Sequence, residues 1–132
     1  VDFKSTPGKV LTDLTGTLVV VDTTDITGVD TILAICSVAF EWSGGITATV
    51  GLFLQIREKG SATVTAAATQ GLRGNATVLP NMQMGANAHL TKTGLDPAKT
   101  YTVEVLVNKT DPQGPVAPLD PNLSVFGMKI KP

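Results

Sequence analysis

Alternation of apolar and polar residues is the dominant pattern along the chain. Every second residue from Ile46 to Ile56 is apolar in the segment Ile46–Glu58, and Tyr101–Val107 repeats this period of two. Successive side chains of a β-strand point to opposite faces, so both segments are predicted as long, half-buried strands. Thr31–Trp42 is apolar on both faces, which is typical of a central strand that is covered on both sides.

Shorter segments of the same kind bring the expected number of strands to about eight. Turn-forming residues separate the segments, as at Gly71 to Gly74 and in the proline-rich stretch Asp111–Pro121, which is predicted as an extended, ordered loop. The chain is therefore predicted to be all-β, with about eight antiparallel strands in a β-sandwich. The shorter strand candidates are Thr17–Val21, Ala62–Ala66, Ala76–Leu79, Ala86–Leu90 and Leu123–Ile130.

The domain organisation follows from the length and from the first residues. A chain of 132 residues fits one domain. Residues 1–16 contain Pro7-Gly8 and show no sustained alternation, so they are predicted to form an N-terminal arm or an edge strand. Residues 17–132 are predicted to form the sandwich.

Composition and charge exclude several classes of function. Hydrophobic residues make up 42% of the chain and charged residues 16%, so the chain must bury a core. The net charge of −1 lacks the basic excess that binding to nucleic acid requires. The longest strongly apolar stretch, Ile32–Phe40, is about half of the roughly 20 residues that cross a bilayer. We expect neither a nucleic-acid partner nor a membrane partner.

The residues that could carry chemistry are few. His89 is the single histidine, and Cys36 is the single cysteine in an apolar run that suits a small buried side chain. Asp22, Asp25 and Asp30 could ligate Ca²⁺, but they lack the spacing of an EF-hand, and turn or cap roles are favoured. We therefore expect no catalytic residue, no cofactor and no metal, and the protein is not predicted to be an enzyme. Asn75, Asn108 and Asn122 begin three matches to the glycosylation pattern, which we interpret as coincidental.

The order of these features resembles a known module. The strand Thr47–Arg57 is followed by a Thr- and Ala-rich hairpin region, then by Leu95–Val105, and finally by the closing segment Asn122–Ile130. This layout resembles the jelly-roll module, similar to the C1q and tumour-necrosis-factor heads, that occurs in many tailed-phage structural proteins. The resemblance implies a jelly-roll β-sandwich that forms a homotrimer, with inner-sheet faces packed about the threefold axis.

The resemblance also implies a function in the virion. The leading hypothesis is a trimeric capsid decoration or cement protein on the capsid surface, with the major capsid protein or other virion proteins as partners. The alternative is a receptor-binding or glycan-binding head of a fibre or spike, and a hydrolytic enzyme is the third hypothesis. Five aromatic residues, of which Trp42 ends a predicted strand and Tyr101 begins one, are the candidates for the trimer interface: Phe40, Trp42, Phe53, Tyr101 and Phe126.

Two segments are candidates for contact with the capsid. The N-terminal arm combines charges with scattered apolar residues, so it could become ordered by adding to a neighbouring sheet. The proline-rich loop has a restrained backbone that would lose little entropy on docking. The candidate contact residues are Val1, Phe3, Lys4, Pro7, Lys9, Val10, Asp111, Pro112, Pro115 and Pro118.

Overall fold

The described residues form two antiparallel sheets of four strands each. The computed structural model describes residues 2–7, 17–42, 47–75, 82–109 and 116–130. Sheet A has the order β1-β8-β3-β6, and sheet B has the order β2-β7-β4-β5. Within these ranges the strands are β1 (Asp2–Pro7), β2 (Val19–Thr27), β3 (Thr31–Trp42), β4 (Thr47–Glu58), β5 (Val64–Asn75), β6 (Met82–Lys92), β7 (Thr100–Lys109) and β8 (Val116–Met128).

The all-β sandwich prediction is confirmed, because the chain crosses between two sheets in a jelly-roll order. β1 pairs with β8 and β2 pairs with β7, so the first and last strands lie together in each half of the sandwich. β1 therefore forms an edge of sheet A and is part of the sandwich. No helix that could span a membrane occurs in the described part of the chain.

The core lies between the two sheets and is built from the inward positions of alternating strands. The predicted inward face of β4 is confirmed, since Val50, Leu52, Leu54 and Ile56 are all buried. The aromatic rings of Phe40 and Trp42 on β3 have no exposed surface, and their centroids are 6.1 Å apart. Burying one large apolar side chain contributes about 1.5 to 3 kcal/mol, so this layer holds the two sheets together.

β3 is the strand for which both faces are predicted to be covered. Its inward residues are buried, but Ile35 on the opposite face is 50% exposed, and Leu33 and Ala39 are only half-buried. Within the described residues, the chain's own strands leave this second face open. The outward face of β3 is therefore where an interaction surface is expected.

The proline-rich stretch differs from its prediction as a loop. β8 begins at Val116, so residues 116–121 lie within the strand, and the prediction that the last strand begins at Leu123 was wrong. A register shift opposite Ser37 and Ala39 marks a bulge, and Asp120 adopts a φ of 47° there. Proline is tolerated within sheets at bulges, where the ladder of hydrogen bonds is already interrupted, which explains how Pro121 fits in β8. Pro118 pairs in register with Phe40, but β1 pairs only with residues 122–127 of β8, so Pro118 lies where β8 has one described neighbour and behaves as an edge strand.

A second difference concerns the glycines that were predicted to form a turn. β5 runs from Val64 to Asn75 and continues through Gly71 and Gly74. β5 is an edge strand with β4 on one side, and an edge tolerates residues with little side-chain packing. The predicted strand Ala76–Leu79 lies outside the described residues.

Candidate functional site: the outer faces of the two sheets

The outer face of sheet A is centred on Ile35. The register places Ile35 between His89 of β6 and Ser124 of β8, and places Leu33 beside Phe126 of β8. Phe126 and Leu33 are half-buried, as is Leu119 farther along β8. Apolar side chains in the middle of an exposed sheet face are the usual sign of a contact surface.

The same face carries almost no formal charge. Glu41, whose carboxylate accepts a hydrogen bond from Gln83 Nε2 at 2.7 Å, marks one end of the face. Asp120 is exposed in the bulge of β8, between Leu119 and Asn122. The other outward positions along the three strands carry no formal charge: Leu33, Ile35, Ser37 and Ala39 on β3, Gly85, Asn87, His89 and Thr91 on β6, and Leu119, Asn122, Ser124 and Phe126 on β8. Contact surfaces are depleted in charged residues at their centre, so this face has the composition of the middle of an interface.

The outer face of sheet B carries a connected set of charges instead. Arg57 Nε donates to Glu104 Oε1 at 2.6 Å, and Gln55 Nε2 donates to the same oxygen at 3.2 Å. Lys59 pairs with Asp25 at 2.9 Å, and Asp25 also accepts a hydrogen bond from the hydroxyl of Thr102 at 2.8 Å. These four charged groups are satisfied within the chain.

These contacts shift the acid–base behaviour of the network. Burial alone would raise the pKa of Glu104, but the hydrogen bonds from Arg57 and Gln55 outweigh burial and hold that pKa below its ordinary value. The hydrogen bonds from Lys59 and Thr102 hold the pKa of Asp25 below its ordinary value. Both carboxylates therefore favour the charged state in the folded chain.

An apolar part of the same face is filled by the chain's own side chains. A Cβ atom added at Gly51 would lie 2.9 Å from the ring of Phe53 and 2.6 Å from the side-chain oxygen of Asn108. Phe53 therefore lies over Gly51, and its cross-strand neighbour Leu106 is 9% exposed. The outer face of sheet B thus covers Gly51 and Leu106 itself, but Val20, which pairs with Leu106, is 41% exposed.

Three of the predicted trimer-interface residues belong to the core of a single chain. Phe40 and Trp42 have no exposed surface and Tyr101 is 4% exposed. The hydroxyl of Tyr101 accepts a hydrogen bond from the Asp96 amide at 2.9 Å, so its polar tip is also satisfied. Phe53 and Phe126 are half-buried on the outer faces of sheets B and A, so they are the candidates that offer surface to a partner.

Some of the predicted capsid-contact residues lie in β1 and β8, and the others lie outside the described residues. Phe3, Lys4 and Pro7 lie in β1, opposite Phe126, Val125 and Asn122 of β8. Pro118 lies in β8 opposite Phe40 and is buried, so it offers little surface for a capsid contact. Val1, Lys9, Val10, Asp111, Pro112 and Pro115 lie outside the described residues.

The three aspartates of the possible Ca²⁺ site do not converge. Asp25 belongs to the network on sheet B, while Asp30 accepts hydrogen bonds from the Thr31 hydroxyl at 2.9 Å and from the Ile130 amide at 3.1 Å. Asp22 Oδ1 accepts a hydrogen bond from the Thr23 amide, whereas its buried Oδ2 has no partner among the described residues. No cluster of metal-binding side chains occurs within the described ranges.

The remaining chemical candidates are placed individually. His89 is exposed on the outer face of sheet A, and Cys36 is 1% exposed in the core. Burial raises the pKa of the Cys36 thiol to about 11, so the thiol stays protonated near neutral pH. Of the three glycosylation-pattern asparagines, Asn122 is exposed on sheet A, Asn108 is half-buried on sheet B, and Asn75 ends β5.

The sequence analysis did not identify the residues at the centre of the open face. Ile35 and Leu33 lie on the second apolar face of β3. The presence of that second face was the feature of the sequence that could have identified them as surface residues. Aromatic residues were weighted above aliphatic ones, and most of those aromatics are core residues. The pairing of Arg57 with Glu104 had no signal in the sequence, because the two residues are brought together only by the pairing of β4 with β7.

Comparisons with known proteins give a likeness of fold. No protein-family model matches the chain, and no curated protein is similar to it in sequence. The structure of infectious bursal disease virus, Gx strain, aligns with a TM-score of 0.63 and 9% identity over 94% of this chain and 31% of that chain. The VP2 subviral particle of infectious bursal disease virus aligns with a TM-score of 0.60 and 10% identity over 94% of this chain and 32% of that chain.

These matches support the jelly-roll prediction. At 9% to 10% identity they show the fold alone. This chain spans about a third of the length of the viral chains that it matches. The similarity to modules of tailed-phage structural proteins stays a prediction.

Proposed function

We propose that the protein is a non-enzymatic structural component of a virion, which forms a homotrimer and decorates or cements a capsid. The observation that carries the proposal is the outer face of sheet A, where Ile35 is 50% exposed in a single chain and its neighbours on both adjacent strands, His89 and Ser124, carry no formal charge. Exposed apolar faces of this kind mark surfaces that contact another protein. The fold likeness to infectious bursal disease virus chains is consistent with a virion role.

The homotrimer is what the resemblance to the C1q and tumour-necrosis-factor heads implies. Four strands spaced about 4.8 Å apart and about nine residues long give the outer face of sheet A an area of about 570 Å². A stable interface buries about 800 Å² on each partner, so contacts outside this face must contribute to the trimer.

Attachment to the capsid is assigned to the segments predicted from the sequence. β1 is an edge strand of sheet A, and among the described residues its other side pairs with no strand. A trimer would make the same weak contact three times at one threefold site, and the three contacts together would bind with avidity. Removing residues 1–9 is a poor test of this assignment, since it would take away the partner strand of β8 from Asn122 to Gly127.

The proposal is tested in two steps with the full chain. Light scattering at micromolar concentration is expected to give three times the chain mass of 13.7 kDa. The trimer is then added to expanded capsids of the virus that encodes the chain, and the Lys9→Glu variant is compared with the unaltered protein. Trimers that decorate the capsid, with lower occupancy for Lys9→Glu, support the proposal. A monomeric mass, or trimers that do not adhere to capsids but bind glycans on an array, would contradict it in favour of the receptor-binding alternative.

A further inference from the structure

The four edges of the sandwich are not equally protected against pairing with another chain. β1 is short and carries Asp2, Lys4 and Pro7. β2 has a bulge between Val20 and Asp22. Charges, proline and bulges are the devices by which edge strands avoid adding further strands. These two edges are therefore guarded.

The other two edges, β5 and β6, lie on the same side of the sandwich. The side chain of Gln70 on β5 crosses to β6, where its Oε1 accepts a hydrogen bond from the Asn87 amide at 2.9 Å. This contact satisfies a backbone donor that would otherwise point out from the edge of β6. β6 is thus partly capped by the chain itself.

β5 has a bulge, as β2 does, but neither charge nor proline in its first eight residues. From Val64 to Gly71 it contains no charged residue and no proline, and Val64 is 43% exposed. Its one irregularity is a bulge at Thr65, because Ile56 stands opposite Ala66 and Arg57 opposite Val64. From Ala66 onward the pairing with β4 is regular, and the other side of β5 pairs with no strand in the part of the chain that the structure describes.

The sequence of this edge is symmetric about Ala67. Residues 65 to 69 read Thr-Ala-Ala-Ala-Thr, so an antiparallel copy centred on Ala67 would place Ala67 opposite itself, alanine opposite alanine, and threonine opposite threonine. Cross-strand threonine pairs are favourable, and small side chains let two edges approach closely. The nearest charged residues are Lys59, which precedes β5, and Arg73, whose counterpart position 61 also precedes β5, so no like charges would face each other in the paired strands.

We infer that β5 is a self-recognition edge, at which two copies of this chain pair antiparallel about a twofold axis through Ala67 and join their B sheets into one sheet of eight strands. Such an interface is isologous: the same surface of both copies takes part, so that if residue i of one copy contacts residue j of the other, residue j of the first copy also contacts residue i of the second. The inference rests on β5 alone and does not depend on the proposed function.

The contact is expected to be weak in solution. A single strand pair about 25 Å long buries less than the roughly 800 Å² per partner of a stable interface. Association through β5 should therefore depend on protein concentration. It would become strong where many copies are already held together, because each further contact is then intramolecular.

Cross-linking tests the register. In the Ala67→Cys variant the two thiols would face each other across the axis, and a short bis-maleimide should join them into a species of twice the chain mass on a denaturing gel. Thr69→Cys is the matched variant, since its two thiols would lie about four residues apart along the strand, beyond the reach of the reagent. Thr23→Cys on β2 is the control for random collision, and the native Cys36 is buried and does not compete.

The expected result is cross-linking of Ala67→Cys well above Thr69→Cys and Thr23→Cys. Equal cross-linking of all three, or cross-linking of Thr69→Cys alone, would overturn the proposed pairing. Circular dichroism checks that each variant is folded.

A charge-pairing experiment tests the same contact without a cysteine. Ala67→Glu and Ala67→Lys each place like charges face to face, so each should weaken self-association about tenfold in sedimentation velocity over a concentration series. An equal mixture of the two variants should restore association. If neither substitution changes association, or if the mixture behaves like the separate variants, the inference is wrong.

Discussion

The outer faces of the two sheets differ in what they leave unsatisfied. Sheet B binds its own charges through Arg57 and Glu104, and covers Gly51 with Phe53. Sheet A leaves Ile35 half exposed, and a Cβ added at Gly85, which pairs with Ala39 on the same face, would meet nothing within 4 Å. The outer face of sheet B also exposes an apolar side chain, Val20 at 41%, so the two faces differ chiefly in charge. Sheet B carries a network of ion pairs, whereas Ile35 on sheet A lies between the uncharged positions His89 and Ser124. An ion-pair network must lose water when it is buried, and an apolar side chain among uncharged neighbours does not, which favours sheet A as the interface.

The largest expected effect comes from placing a charge on the open face. Ile35→Lys would require a buried ammonium group at the centre of the trimer contact, so association should weaken about 100-fold or more while the chain stays folded. Light scattering at micromolar concentration should then report one chain mass. Thr23→Lys, at an exposed position on sheet B, is the matched control and should remain trimeric. A trimer that persists in Ile35→Lys would show that this face is not the interface.

The second comparison uses one glycine on each outer face. Gly51→Ala would force its new methyl group against Phe53 and Asn108 and should cost about 1 to 3 kcal/mol of unfolding free energy. Gly85→Ala meets no atom and should change that free energy by less than about 0.5 kcal/mol. Urea unfolding is measured in the Ile35→Lys background, where association does not contribute. If the two substitutions lowered the unfolding free energy equally, the two outer faces would not differ in how closely their own side chains pack over them.

The difference between the two outer faces could be predicted only in part from the sequence. Alternation located β3 and β4 within a residue of their observed bounds, since long strands with a period of two are the strongest signal that a sequence contains. Glycine and proline were misleading in β5 and β8, because an edge strand and a bulge tolerate them. Which face of β3 stays open depends on the strands that flank it in the sheet, and that order is a property of the whole chain.

The charged network on sheet B should make stability depend on pH. The pKa of Glu104 is lower in the folded chain than its ordinary value of 4.5, so its contribution is fully present above that pH and is lost as the pH falls through the folded value. Glu104→Gln should therefore lower Tm by about 5 °C at pH 7 and by much less at pH 3. Glu41→Gln, at the end of the sheet A face, is the control and should leave Tm at pH 7 within about 1 °C. The same loss of Tm at both pH values for Glu104→Gln would exclude a charge effect.

The smallest expected effect concerns Asp22. Ionisation of Asp22 lowers the stability of the folded chain, whereas ionisation of Glu104 raises it. Burial raises the pKa of Asp22, so the folded chain holds that proton more tightly, and stability is lost as the pH rises through the folded value. Asp22→Asn keeps the acceptor for the Thr23 amide and removes the charge, so it should stabilise the chain by about 1 kcal/mol at pH 7. Urea unfolding at pH 7 and at pH 3 checks this, and a loss of stability at pH 7 would mean that the carboxylate has a favourable partner.

The position of β8 has a consequence for how the chain folds during synthesis. β8 lies between β1 and β3. The carboxylate of Asp30, next to β3, accepts a hydrogen bond from the amide of Ile130, which is 100 residues later in the chain. Until residues 116–130 leave the ribosome, β1 has no partner in its sheet, and β3 is held only by β6. Pairings between distant parts of a chain form slowly, because the intervening loop must close first. The nascent chain would therefore keep the apolar strand β3 unpaired on one edge until β8 has been synthesised, which makes it a substrate for chaperones that bind exposed hydrophobic strands.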